Sequence, residues 1–77
     1  MADEQKVKTL DLRGVACPLS WAKARVVLDG MARGERLRLL VDEGRALRDI
    51  PRAAEALGYA VDAPVEMDGG WRLEIVV

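Results

Sequence analysis

Glu35-Arg36-Leu37-Arg38-Leu39-Leu40-Val41 is the stretch that decides the architecture. Leu37, Leu39 and Val41 alternate with Arg36 and Arg38, so one side of the segment is apolar and the other charged. A period of two is the strand period, and a single charged face means a sheet covered on one side only. The strand stops at Asp42-Glu43-Gly44, a turn sequence.

Elements follow on both sides of this strand. Upstream, residues 7–12 read as a first strand, ended by Arg13-Gly14. Residues 18–32 read as a helix, built on good or tolerable helix formers (Ala22, Lys23, Ala24, Arg25, Leu28). Leu19, Ala22, Val26 and Gly30 lie on one stripe at helical spacing, widened by Val27 and Met31, which predicts the buried face. Gly34 supplies the stop.

Downstream, residues 45–57 carry a second helical pattern in Ala46, Leu47, Ile50, Ala53, Ala54 and Leu57. Pro51 interrupts it. A short turn over 46–48, an N-cap at Asp49 and Pro51 in the first turn of the helix proper would accommodate the proline. Residues 59–67 alternate as a strand, with Pro64 forcing a bulge or an edge position. Asp68-Gly69-Gly70 is a hairpin turn, and Trp71, Leu73, Ile75 and Val77 then share one face of a last strand.

The order is β-α-β-α-β-β, which predicts an α+β fold. Right-handed crossovers put both helices on one face of the sheet if the chain advances without reversing. The expected architecture is a two-layer sandwich, two helices over a four-stranded mixed sheet. It forms one domain over residues 7–77, after a polar tail at residues 1–6.

Composition narrows the chemistry. The chain has 77 residues, 51% apolar and 32% charged, enough for one small core. Its lone cysteine cannot close an internal disulfide, which argues for a reducing compartment, the cytoplasm. Neither a leader-like apolar segment nor a bilayer-spanning run stands in the sequence, so no membrane partner is expected. Histidine is absent, so a Cys-His dyad is impossible within the chain, and neither a metal nor a cofactor is expected. Twelve basic residues against 13 acidic ones offer nucleic acid no general attraction, and one tyrosine and two tryptophans offer few stacking surfaces.

The chemistry converges on Gly14-Val15-Ala16-Cys17-Pro18-Leu19-Ser20. Pro18 suits the first helical position, because the N–H it lacks would have no intrahelical partner there. Cys17 is then at or near the N-cap, facing unpaired N–H groups and the positive end of the helix dipole. That placement favours the thiolate, the reactive form, by roughly 0.3–1 kcal/mol. Arg13 is a candidate to hold the thiolate electrostatically, or else a solvated loop residue. Asp11 is expected to hydrogen-bond loop N–H groups, and Gly14 to supply a turn conformation. Trp21, one turn after Cys17, is either a shelter for the sulfur and a docking surface or ordinary core. Lys23 on the first helix, with Arg45, Arg48 and Arg52 on the second, is a candidate basic face for an acidic partner.

The run Asp11-Leu12-Arg13-Gly14-Val15-Ala16-Cys17-Pro18 resembles the opening of TusA/SirA-like sulfur carrier proteins, with their Asp-x-Arg/Lys-Gly-x-x-Cys-Pro-x-Pro signature. Gly34-Glu35, Asp42-Glu43-Gly44, Arg48-Asp49-Ile50-Pro51 and Gly58 continue the likeness over nearly the whole domain. The resemblance implies the same β-α-β-α-β-β sandwich. It also implies a sulfur atom carried as a persulfide on Cys17, taken from a donor protein such as a cysteine desulfurase or a rhodanese and handed to an acceptor protein. Ser20 stands where the signature has its second proline, in the first helical turn, where its hydroxyl can hydrogen-bond locally. That departure keeps a second reading open: a binding or regulatory module of the same fold in which Cys17 is a core residue.

Overall fold

The computed structural model describes residues 7–16 and 19–77. The elements are β1 (Val7–Asp11), α1 (Leu19–Asp29), β2 (Arg36–Val41), α2 (Arg45–Ala56), β3 (Ala60–Val61), β4 (Val65–Met67) and β5 (Gly70–Val76). β1 and β2 run parallel, from Val7 opposite Arg36 to Asp11 opposite Leu40. β5 lies antiparallel to β2, from Val41 opposite Trp71 to Arg36 opposite Val76. β3 and β4 both pair with the far edge of β5.

Since β2 and β3 are each antiparallel to β5, they are parallel to one another. The two crossovers, β1-α1-β2 and β2-α2-β3, therefore advance the same way across the sheet. That places α1 and α2 side by side on one face, running in the same direction. The last strand turns back and inserts between β2 and β3.

The alternation in 35–41 does what its pattern predicts. Leu37, Leu39 and Val41 are fully buried, as are Leu73 and Ile75 beside them on β5. Ile50 and Ala54 of α2, Ala24 and Leu28 of α1, and Leu12 close the core from above. On the open face the Glu74 carboxylate takes hydrogen bonds from Arg36 (3.1 Å) and Arg38 (2.8 Å) across the β2–β5 pair. Asp62 adds a second carboxylate to Arg36 at 2.9 Å.

Three details depart from the expectations. The strand expected over 59–67 is two short strands, giving five rather than four, because the ladder lapses over residues 62–64: Asp62 N–H still donates to Glu74 O at 2.9 Å, but Pro64 has no N–H to give. The second helix begins at Arg45, not after Asp49, and Pro51 lies inside it. The earlier start packs Ala46 and Leu47 beside Ile50 against the core, which offsets the hydrogen bond that the proline removes.

The third departure is the facing of α1. Its buried row is Ser20, Ala24 and Leu28, flanked by Trp21, Val27 and Met31. Leu19 is 55% exposed and Val26 73%. The buried face takes in Trp21 together with Leu28, Val27 and Met31, and its centre is the small pair Ser20 and Ala24.

That choice encloses the Ser20 hydroxyl completely, and among the described residues Oγ has no hydrogen-bond partner. Among the described residues, the local bond expected of this serine is made by its backbone N–H, which donates to Ala16 O at 3.0 Å, and not by its side chain. An unpaired buried hydroxyl costs stability. Ser20→Ala is therefore expected to raise stability by about 1 kcal/mol in a denaturant titration. A loss of stability would show that the hydroxyl is paired.

Candidate functional site

The loops that follow β1 and β2 lie at the carboxyl ends of two adjacent parallel strands. Ligand and catalytic groups in open α/β sheets gather at such ends. The first loop is built by Asp11. Its Oδ1 accepts the backbone N–H of Arg13 at 3.0 Å and Arg13 Nε at 3.0 Å, and its Oδ2 accepts Nη2 at 2.8 Å. The Arg13 side chain, then its backbone N–H, hold the Asp11 carboxyl at about 2, below its ordinary 3.8.

A β-turn follows. Val15 N–H donates to Leu12 O at 3.1 Å, and Gly14 sits at the third position with φ +82°. A type II turn needs positive φ there, which glycine supplies without strain. Leu12 anchors the turn from below, buried, with its N–H on Leu40 O at 2.7 Å.

The second loop grips the first. Asp42 Oδ2 accepts the Gly14 N–H at 2.6 Å. Between the loops lies an open cleft of about 430 Å³, lined by Gly14, Val15, Ala16, Asp42, Glu43, Arg45 and Ala46. Asp42 is the residue that reading the site from the sequence missed. Its signal was present: β1 and β2 are parallel neighbours, so an acid just past β2 stands level with the loop just past β1.

Each candidate residue has a definite place. Cys17 and Pro18 lie outside the described residues, and so does the expectation that they form an N-cap and first helical position. Their neighbours are placed: Ala16 lines the cleft and Leu19 opens α1. Asp11, Arg13 and Gly14 form the turn. The Arg13 guanidinium is committed to Asp11, and its side chain runs beside Gly69 and Gly70 of the β4–β5 hairpin. Ser20 is on the buried face of α1, and Trp21 is half-buried, packed against the core. Arg45 lines the cleft; Lys23, Arg48 and Arg52 are exposed on the helices. Among the described residues no three His, Cys, Asp or Glu side chains converge as a metal site would require, and no helix is long and apolar enough to cross a membrane.

The low Asp11 value has a measurable consequence. Its folded pKa is depressed, so the contribution to stability is complete above about 3.8 and is lost as pH falls toward 2. Carboxyl NMR should show Asp11 titrating near 2, with the Arg13 amide moving in the same step. A titration at the ordinary value would mean that the turn is not held this way.

Comparison with known proteins gives a consistent picture. The family described as Sulfurtransferase TusA matches residues 8–77. A protein of Archaeoglobus fulgidus, named "Putative sulfur carrier protein", is 39% identical over 70% of this chain, and the match spans 61% of that relative's length. A protein of the same description from Methanocaldococcus jannaschii is 35% identical over 90% of this chain and 92% of its own. One from Thermotoga maritima is 36% identical over 79% of this chain and 77% of its own. Among solved structures, a SirA-like protein of Desulfitobacterium hafniense superposes with a TM-score of 0.79 at 26% identity, covering 92% of this chain and 96% of that one.

Proposed function

The chain belongs to the TusA sulfurtransferase family, and from that premise we propose that it is a cytoplasmic sulfur carrier that holds sulfur as a persulfide on Cys17. The observation that carries the proposal is positional. The only thiol of the sequence falls between Ala16, on the wall of the cleft, and Leu19, the first described residue of α1. In the chain, a built loop precedes the thiol and a helix follows it.

The chemistry needs no outside oxidant. The Cys17 thiolate attacks the terminal sulfur of a donor persulfide. A new S–S bond forms, the donor's S–S bond breaks, and the donor leaves as a thiolate. In the second step an acceptor thiolate attacks the terminal sulfur on Cys17, and Cys17 departs as the thiolate it began as. A low thiol pKa serves both halves, since Cys17 is the nucleophile in one and the leaving group in the other. With no second cysteine in the chain, the resolving nucleophile belongs to the acceptor.

Incubation with inorganic polysulfide, followed by intact-mass measurement, tests the reading. Gain of one sulfur atom is expected. No gain on the folded protein would overturn it.

A further inference from the structure

The two helices present the same positions to solvent and fill them with opposite chemistries. In α1, Ala22 and Val26 lie two residues to either side of buried Ala24; in α2, Arg48 and Arg52 lie two residues to either side of buried Ile50. At about 100° per residue, each pair sits at the pole opposite the core. Leu19 and Arg45 complete the rows one turn nearer the cleft. Leu19, Ala22 and Val26 thus form an apolar ridge along the outside of α1, and Arg45, Arg48 and Arg52 a cationic ridge along the outside of α2.

The ridges are neighbours. The helices pack side by side in the same direction, with axes about 8–10 Å apart, as is usual for packed helices. Both begin at the cleft end of the molecule. Among the described residues neither the three arginines nor Lys23 makes an ion pair. The helices carry five basic side chains against three acidic ones in a chain of net charge −1, so positive charge is concentrated on this layer.

We propose that this double ridge is the docking surface for the sulfur-donor protein, and that the donor's matching face sets a row of apolar side chains beside a row of carboxylates. The proposal rests on the carrier reading and adds the surface and the chemistry of the partner. Leu19 and Val26 at the outer pole of α1 lie exposed, outside the buried core, and a row of apolar side chains there suits a contact surface. The arginines beside it steer an acidic face and fix its register. Because both rows start at the cleft, a donor seated on them is brought to the loop that carries Cys17.

The test uses the full chain with a purified cysteine desulfurase and L-cysteine as donor, and inorganic polysulfide as a donor that needs no docking. Val26→Glu and Arg48→Glu change exposed residues, and circular dichroism checks that both variants fold. Each is expected to slow loading from the desulfurase at least tenfold, with polysulfide loading within about twofold of the unaltered chain. Arg33→Glu, an exposed change of equal charge away from both ridges, is expected to load at the unaltered rate. Desulfurase loading that is unchanged in Val26→Glu and Arg48→Glu overturns the docking surface. So does an unaltered chain that polysulfide loads and the desulfurase does not. Failure of polysulfide itself to load the chain would instead sink the carrier reading beneath it.

Discussion

Serine at position 17 is expected to abolish sulfur loading completely. A serine hydroxyl is not ionised at neutral pH, and its oxygen does not form the S–S bond on which the cargo rides. No other thiol in the chain can substitute. Exposed to polysulfide, the unaltered chain should gain one sulfur atom by intact mass and Cys17→Ser none. The loop beside it is fixed by Asp11, Gly14 and Asp42, none of which the substitution touches, so the variant should unfold at nearly the same denaturant concentration. Alkylation of the native unaltered chain against pH gives an independent reading. On the carrier reading its midpoint should fall below the ordinary thiol value of about 8.5, because the thiol has to serve as both nucleophile and leaving group. Sulfur found on Cys17→Ser would remove the assignment. A thiol that reacts only after unfolding would favour the binding-module reading.

Much of this site was legible in the residues. Asp11 two positions before Arg13, and a glycine after that, is enough to suggest a side chain closing on a turn, and the hydrogen bonds are of that kind. The alternation of Leu37, Leu39 and Val41 placed the core side of the sheet correctly, because a strand offers only two faces. A helix offers a continuum, and there the reading slipped. α1 carries two apolar rows, and nothing local says that the row containing a serine is the buried one. The choice lies in close packing against the sheet, which no single residue of α1 encodes. Pro51 misled for a related reason: a local penalty on the helix was outweighed by what Ala46 and Leu47 gain from the core. Asp42 was hidden because its partner, Gly14, is distant in sequence and meets it only through the parallel pairing of β1 and β2. The row that failed as core is the one left free at the surface.

The largest expected loss of stability from a single methyl group is at Gly70. A Cβ built there would lie 2.6 Å from the carbonyl oxygen of Val41 and 3.4 Å from Cδ of Arg13. The first contact is with backbone, at the end of the central strand β2, where Val41 pairs with Trp71. Neither side can swing aside as a long side chain would. Gly70→Ala must therefore push β5 away from β2 at the point where the β4–β5 hairpin begins, and the Arg13 side chain with it. Overpacking of this sort costs about 1–3 kcal/mol, a large share of what a domain of this size possesses. Gly14→Ala is the internal control. A Cβ there meets nothing within 4 Å, and the whole penalty is that of φ +82°, about 1–2 kcal/mol. Denaturant midpoints should therefore fall for both, further for Gly70→Ala than for Gly14→Ala. Gly70→Ala should also release the Arg13 amide from its position on Asp11 in NMR spectra. Equal stability of Gly70→Ala and the unaltered chain would mean that the hairpin does not approach β2 this closely. The seating of Arg13 between Asp11 and the hairpin would then lose its support.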